Sequence, residues 1–122
     1  KIILTSYRPP TSNAEIKIYV RASNGEDFES IKSRNWIEME AHDTTAYSSL
    51  ANRRDFREFQ YNFPAAVMTG LNDQGSTIFG YTNSVGTAFE TFKQYQIKIG
   101  LQSDNSAIVP RVMDVRGIAL QK

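Results

Sequence analysis

The chain has 122 residues, with fourteen Lys and Arg against thirteen Asp and Glu for a net charge of +1. That balance argues against the clustered basic surface of an electrostatic nucleic-acid binder. The absence of cysteine excludes disulfides, zinc–thiolate centres and thiol nucleophiles. No apolar run reaches the length of a membrane-spanning helix, the first residues do not have the shape of a signal peptide, and the length fits one domain that buries a core without staples.

Ile2, Ile3 and Leu4 open a short apolar strand that ends near Tyr7. Arg8-Pro9-Pro10 stops the ladder there, because proline has no N–H to donate and restricts the residue before it. Ile16, Ile18 and Val20 alternate with Glu15, Lys17, Tyr19 and Arg21, the period-two signature of a strand with one buried face. Asn24-Gly25 marks a turn and leads into the polar stretch Glu26–Ser30, whose single aromatic, Phe28, is expected to plug an edge of the core. Trp36–Glu40 reads as one further strand, and His42–Asn52 as loop.

Alternation resumes from Arg54 to Phe63, with Phe59, Tyr61 and Phe63 inward, and Pro64 closes the segment. Between Ala65 and Gly86, glycines at 70, 75, 80 and 86 lie among Asn, Asp, Ser and Thr, a pattern of hairpins or extended loop with a short strand near Ile78–Tyr81. Val85–Phe92 is expected to form a single helical turn. The chain then closes on two strands read as a final hairpin. Tyr95, Ile97, Ile99 and Leu101 face the core in the first, Ser103–Ser106 turns the chain, and Val112–Leu120 forms the second. Together these features predict an all-β, antiparallel β-sandwich, jelly-roll-like, with roughly six to eight short strands. The expected organisation is a single domain over residues 1–122, and Lys1 in place of Met reads as the start of a piece of something longer.

Few residue groupings carry chemistry. Glu38, Glu40 and His42 share one strand face by period two, with Asp43 adjacent, a spacing able to hold a divalent cation, but the preferred reading is a solvated strand face running into a loop. Any serine triad would have to use His42, and no nucleophile-elbow motif accompanies it. Asn72–Ser76 contains part of a calcium-loop pattern without its terminal Glu, and the glycines do not follow phosphate-loop spacing. Arg53, Arg54 and Arg57 interleave with Phe56 and Phe59 like an RNA-stacking patch, but Asp55 and Glu58 cancel most of its field. No catalytic residue, cofactor or metal is expected. Most aromatics fall at inward positions; Tyr19, Tyr47 and Tyr81 lie on polar faces or in loops and are the candidate contacts for a glycan or a protein partner.

Three segments carry a resemblance. They are Tyr7–Pro10 followed by Ala14–Arg21; Asp27-Phe28 and Asn35–Met39 with Phe56–Tyr61; and Phe92–Ile99 with Val109–Ala119. Together they resemble a domain of virion structural proteins from contractile-tailed, T-even-like phages, especially those of cyanobacteria. The resemblance spans most of the chain outside about residues 65–90, which look like a variable insertion. It implies a non-enzymatic β-sandwich module of a tail or baseplate, assembled in the host cytoplasm and held by other virion proteins or by further copies of itself. Neither nucleic acid nor membrane is an expected partner. Under this reading Arg116 is expected to pair with Asp114 or with a carboxylate on a neighbouring strand and so fix the final hairpin. The rival expectation is a carbohydrate-binding module that recognises a host glycan through the three tyrosines.

Overall fold

The computed structural model describes residues 1–42, 47–64, 68–71, 77–89 and 92–117, with 68–71, 77–79 and 81–82 described as backbone. Among these residues there is no α-helix. The strands are β1 (Ile2–Tyr7), β2 (Glu15–Ser23), β3 (Ile37–Glu38), β4 (Glu40–Ala41), β5 (Arg57–Asn62), β6 (Met68–Leu71), β7 (Thr77–Phe79), β8 (Tyr81–Thr82), β9 (Ala88–Phe89), β10 (Gln94–Gln102) and β11 (Arg111–Gly117). Six of them are four residues or longer; the others are brief pairings. Two antiparallel sheets, ordered β11-β1-β5-β4 and β10-β2-β3, pack as an all-β sandwich, and β6-β7 and β8-β9 form two-stranded ribbons. The residues group into two compact units: one built on Lys1–Ile18, Glu40–Asn62 and the stretch from Ile99, the other on Tyr19–Met39 and Phe63–Lys98.

In the first unit β1 is the central strand. Its backbone pairs with β5 on one side and β11 on the other, and its apolar run Ile2-Ile3-Leu4 is buried. Leu4 stands between Phe59 and Val115, and Ile2 between Tyr61 and Gly117, which defines the inner face. Leu4, Phe59, Tyr61, Ile16 and Ile18 are buried, and each such side chain contributes about 1.5–3 kcal/mol. The Tyr61 hydroxyl donates to the carbonyl of Ile16 (3.4 Å) and joins β5 to the start of β2. Burial pushes that phenol's pKa up, against the opposing effect of the Arg8 charge.

The outer face of the same sheet is charged. Ile3 is opposite Arg116 and Gln60, and Thr5 opposite Asp114 and Glu58. Arg116 reaches over β1 to Glu58 (2.6 Å) and lies 3.8 Å from Asp114, as the sequence suggested, but the bridge ties β11 to β5 rather than closing a hairpin. A bulge interrupts β11: Thr5 pairs with Asp114 and Ser6 with Val112, so Met113 has no partner and is 64% exposed. The extra residue returns Val112 to the same face as Val115. A strand with valines three apart can seat both on one face only in this way.

Several expectations are corrected by these pairings. The last two strands are not a hairpin: β10 joins β2 and β11 joins β1, in different sheets. The 103–110 connection carries the chain between them, pinned where Asp104 N–H donates to the Ser12 carbonyl (2.8 Å) and where Asn13 donates to the Asp104 carboxylate (2.5 Å). Ser12 and Asn13 have φ of 62° and 47° and form a left-handed two-residue turn, with Ala14 N–H donating to Thr11 O (3.2 Å). Tyr95 and Leu101, expected inward, are exposed.

Trp36–Glu40 is not one strand. The chain breaks at buried Met39, leaving β3 against β2 (Tyr19↔Glu38) and β4 against β5 (Glu40↔Asn62). Val85–Phe92 holds no helical turn among its described residues, because Ala88-Phe89 pairs with Tyr81-Thr82. The Asn24-Gly25 turn is present, closed by Asp27 N–H donating to Asn24 O (3.0 Å), yet Gly25 does not have a positive φ. A Cβ there would stand 2.9 Å from Cδ of Lys93, an exposed flexible side chain that can move aside, so neither backbone angle nor clearance makes glycine obligatory. The 118–120 end of the last expected strand, Asn72–Ser76 and Asp43 lie outside the described residues.

Candidate functional site

Period two places Tyr19 and Arg21 on the outward face of β2, because Ile18, Val20 and Ala22 are buried on the other. β3 and β10 flank that strand and supply the neighbours. The Arg21 guanidinium lies 4.3 Å from the centre of the Trp36 ring and donates to Gln96 Oε1 (2.7 Å) and to the Lys32 carbonyl (3.4 Å). The Lys98 ammonium sits 4.7 Å from the Tyr19 ring and 4.8 Å from the Trp36 ring. Two half-buried aromatics therefore hold two cations, each contact being worth about 0.5–1 kcal/mol at a partly exposed site. Glu38 pairs across from Tyr19 on the same face. Of this group the sequence singled out Tyr19 alone. Arg21 was legible from the same alternation, whereas Trp36, Gln96 and Lys98 join it only through the pairing of β10 and β3 with β2.

Tyr47 belongs to the other unit. The Arg8 guanidinium lies 4.5 Å from its ring and 5.7 Å from that of Phe59. The segment is anchored by Ser48 and Ser49. Ser48 N–H donates to Arg8 O (2.8 Å), Arg8 N–H donates to Ser48 Oγ (3.0 Å), and the Tyr7 hydroxyl donates to Ser49 O (3.2 Å). Ser49 N–H in turn donates to Asp55 (2.7 Å). The hydrogen bond from Arg57, with that from Ser49 behind it, holds the Asp55 carboxyl below its ordinary pKa. Arg111 lies 5.1 Å from Tyr7 and 5.3 Å from Phe56, and donates to the Arg53 carbonyl. Three members of the Arg-Phe grouping make internal contacts: Arg57 pairs with Asp55 (2.9 Å), Phe59 lies in the core and Phe56 lies under Arg111, while Arg53 and Arg54 are exposed. Tyr81 lies in β8, opposite Phe89. The three candidate tyrosines fall on β2, on the 47–56 segment and on β8, with Tyr19 and Tyr81 in one unit and Tyr47 in the other.

Phe28 overturns its expectation. It is 75% exposed and plugs nothing. Its loop is nevertheless firmly held. Asn83, only 6% exposed, donates its side-chain amide to Asp27 Oδ1 (3.2 Å) while its own Oδ1 accepts from Thr87 N–H (2.8 Å) and Val85 N–H (3.2 Å). Glu29 accepts from Ser84 N–H (2.8 Å) and pairs with Arg34 (3.0 Å), and these partners hold its carboxyl below the ordinary glutamate pKa, the Ser84 bonds most strongly. Ser30 caps the short 3-10 turn that follows, accepting from Lys32 N–H (3.2 Å). The β8–β9 loop is shaped by Gly86 at φ +87°, a conformation that favours glycine. Its tip residue Val85 is 66% exposed. Two loops of one unit are thus stitched together, each presenting one apolar side chain to solvent.

The Glu38–Glu40–His42 grouping does not assemble as a strand face, because Glu38 sits on β3 and Glu40 on β4 in different sheets. Among the described residues no three His, Asp or Glu side chains are grouped to hold a metal ion. Comparison with protein-family models, with curated proteins and with solved structures gives no match for this chain.

Proposed function

We propose that the chain is a non-enzymatic assembly module that docks against neighbouring proteins. The observation that carries this reading is Phe28, an aromatic with three-quarters of its surface in solvent, flanked by Asp27 and Glu29, whose side chains are held by hydrogen bonds from Asn83 and Ser84. Moving an exposed phenylalanine side chain from water into an apolar pocket is favourable by about 1.5–3 kcal/mol. A loop that holds one rigidly outward pays little ordering entropy on binding, the economy expected of a preformed contact residue. Val85, exposed on the 83–87 loop, is a second apolar side chain of the same unit, and exposed Glu26 lies close to Phe28 in sequence, while Glu29 is already paired with Arg34. The fitting partner surface is an apolar pocket that takes the phenylalanine ring. The setting, a tail or baseplate of a contractile-tailed phage with other virion proteins as neighbours, rests on the sequence resemblance alone.

The test is site-specific photocrosslinking in the cells or particles where the chain is made, with a benzophenone side chain at position 28 and, as control, at exposed Thr11. One discrete protein adduct formed from position 28, absent from position 11 and lost on Val85→Ser, supports docking through this tip. Equal, diffuse labelling from both positions refutes it.

A further inference from the structure

The outward face of the β10-β2-β3 sheet holds two positive charges that nothing described on the molecule neutralises. Arg21 and Lys98 both lie against the Trp36 ring, and Lys98 against Tyr19 as well. The ion pairs among the described residues use Lys17, Arg34, Arg57 and Arg116, and none of their carboxylates is within ion-pair distance of Arg21 or Lys98. Holding two like charges on one indole costs Coulomb energy that ring contacts repay only in part, and a bound anion removes that cost. Gln96, fixed on Arg21 at 2.7 Å, adds an amide able to bond a hydroxyl.

We propose that this face binds a carboxylated oligosaccharide, with Arg21 and Lys98, held on the Trp36 and Tyr19 rings, paired to its carboxylates and the Gln96 amide donating to a ring hydroxyl. The reading is independent of the docking tip at Phe28. Single-stranded nucleic acid also combines flat rings with anions, but it carries one phosphate on every nucleotide and needs a continuous basic track. Here the track is interrupted. Glu38 stands opposite Tyr19, and Glu15 lies 3.7 Å from Lys17 on the same face of β2. Acidic flanks repel a chain charged at every unit but tolerate a sugar chain whose carboxylates alternate with neutral rings.

The experiment is calorimetric titration of the chain with a short oligosaccharide of alternating uronic acid and neutral sugar, with its methyl ester, with a neutral cello-oligosaccharide and with oligo-dT. The expected result is saturable binding of the acid only, weakening as salt rises. Lys98→Gln is expected to weaken it about tenfold, the loss of one charge-assisted contact. Lys98 is exposed on its strand, so this variant retains the fold and keeps the test valid even where Trp36→Ala does not fold. No saturable binding of the acid, equal binding of the methyl ester, an unchanged affinity in Lys98→Gln, or tighter binding of oligo-dT each overturns the proposal.

Discussion

Replacing Asn83 with Ala removes the pin that holds the two apolar loops together. The side chain makes three hydrogen bonds, to Asp27 Oδ1 at 3.2 Å, from Thr87 N–H at 2.8 Å and from Val85 N–H at 3.2 Å. At about 1 kcal/mol net for each, the sum is near 3 kcal/mol. Thr87 and Val85 are exposed, so water re-bonds their freed N–H groups and lowers the expected loss to about 2 kcal/mol. For a chain of this size that is a fall of roughly 8 °C in Tm. Asn83→Asp keeps the acceptor for Thr87 and Val85 but sets a second carboxylate beside Asp27, so it is expected to recover less than half of the loss. Trp36, the one tryptophan, lies in the same unit and reports unfolding directly in a urea titration followed by fluorescence. A loss below about 0.5 kcal/mol in Asn83→Ala refutes the pinned-loop description and with it the rigid presentation of Phe28.

Three further outcomes follow from the packing. Ser6 is fully buried and its hydroxyl has no hydrogen-bond partner among the described residues, so Ser6→Ala is expected to raise stability by about 1 kcal/mol, read as a higher urea midpoint. Arg116→Ala removes an exposed ion pair with Glu58, and a loss of no more than about 1 kcal/mol is expected; an unchanged unfolding midpoint would count against any clamp of β11 onto β5. The Glu29 carboxyl is held below its ordinary pKa, so its contribution is fully present above the ordinary glutamate range and is lost as pH falls toward the lowered value. The gap in urea midpoint between the native chain and Glu29→Gln is therefore expected at pH 7 and to shrink in acid; a gap that is constant with pH contradicts the assignment.

Local pattern alone determined where the principal strands run. Ile2–Tyr7, the alternation through Val20, the inward Phe59 and Tyr61, and the turn residues at Asn24 and Ser103 all follow from side-chain period and backbone sterics, which act within a few residues. Tyr19 and Arg21 were legible as an outward pair for the same reason. Pairing was not legible, because any two apolar strands satisfy each other's hydrogen bonds. Only the assembled sheet decided that β1, apolar on both faces, takes the centre and draws β11 away from β10. That choice brings Lys98 and Gln96 beside Tyr19, places Arg116 over β1, and forces the bulge at Met113. Phe28 shows the same limit from the other side. An isolated aromatic in a polar loop reads as a core plug, and its exposure is fixed by hydrogen bonds from Asn83 and Ser84, more than fifty residues away in sequence. The strands are written in short-range chemistry; the sheet order, the cation-bearing face and the apolar tip are decided by contacts between distant residues, which no local pattern specifies.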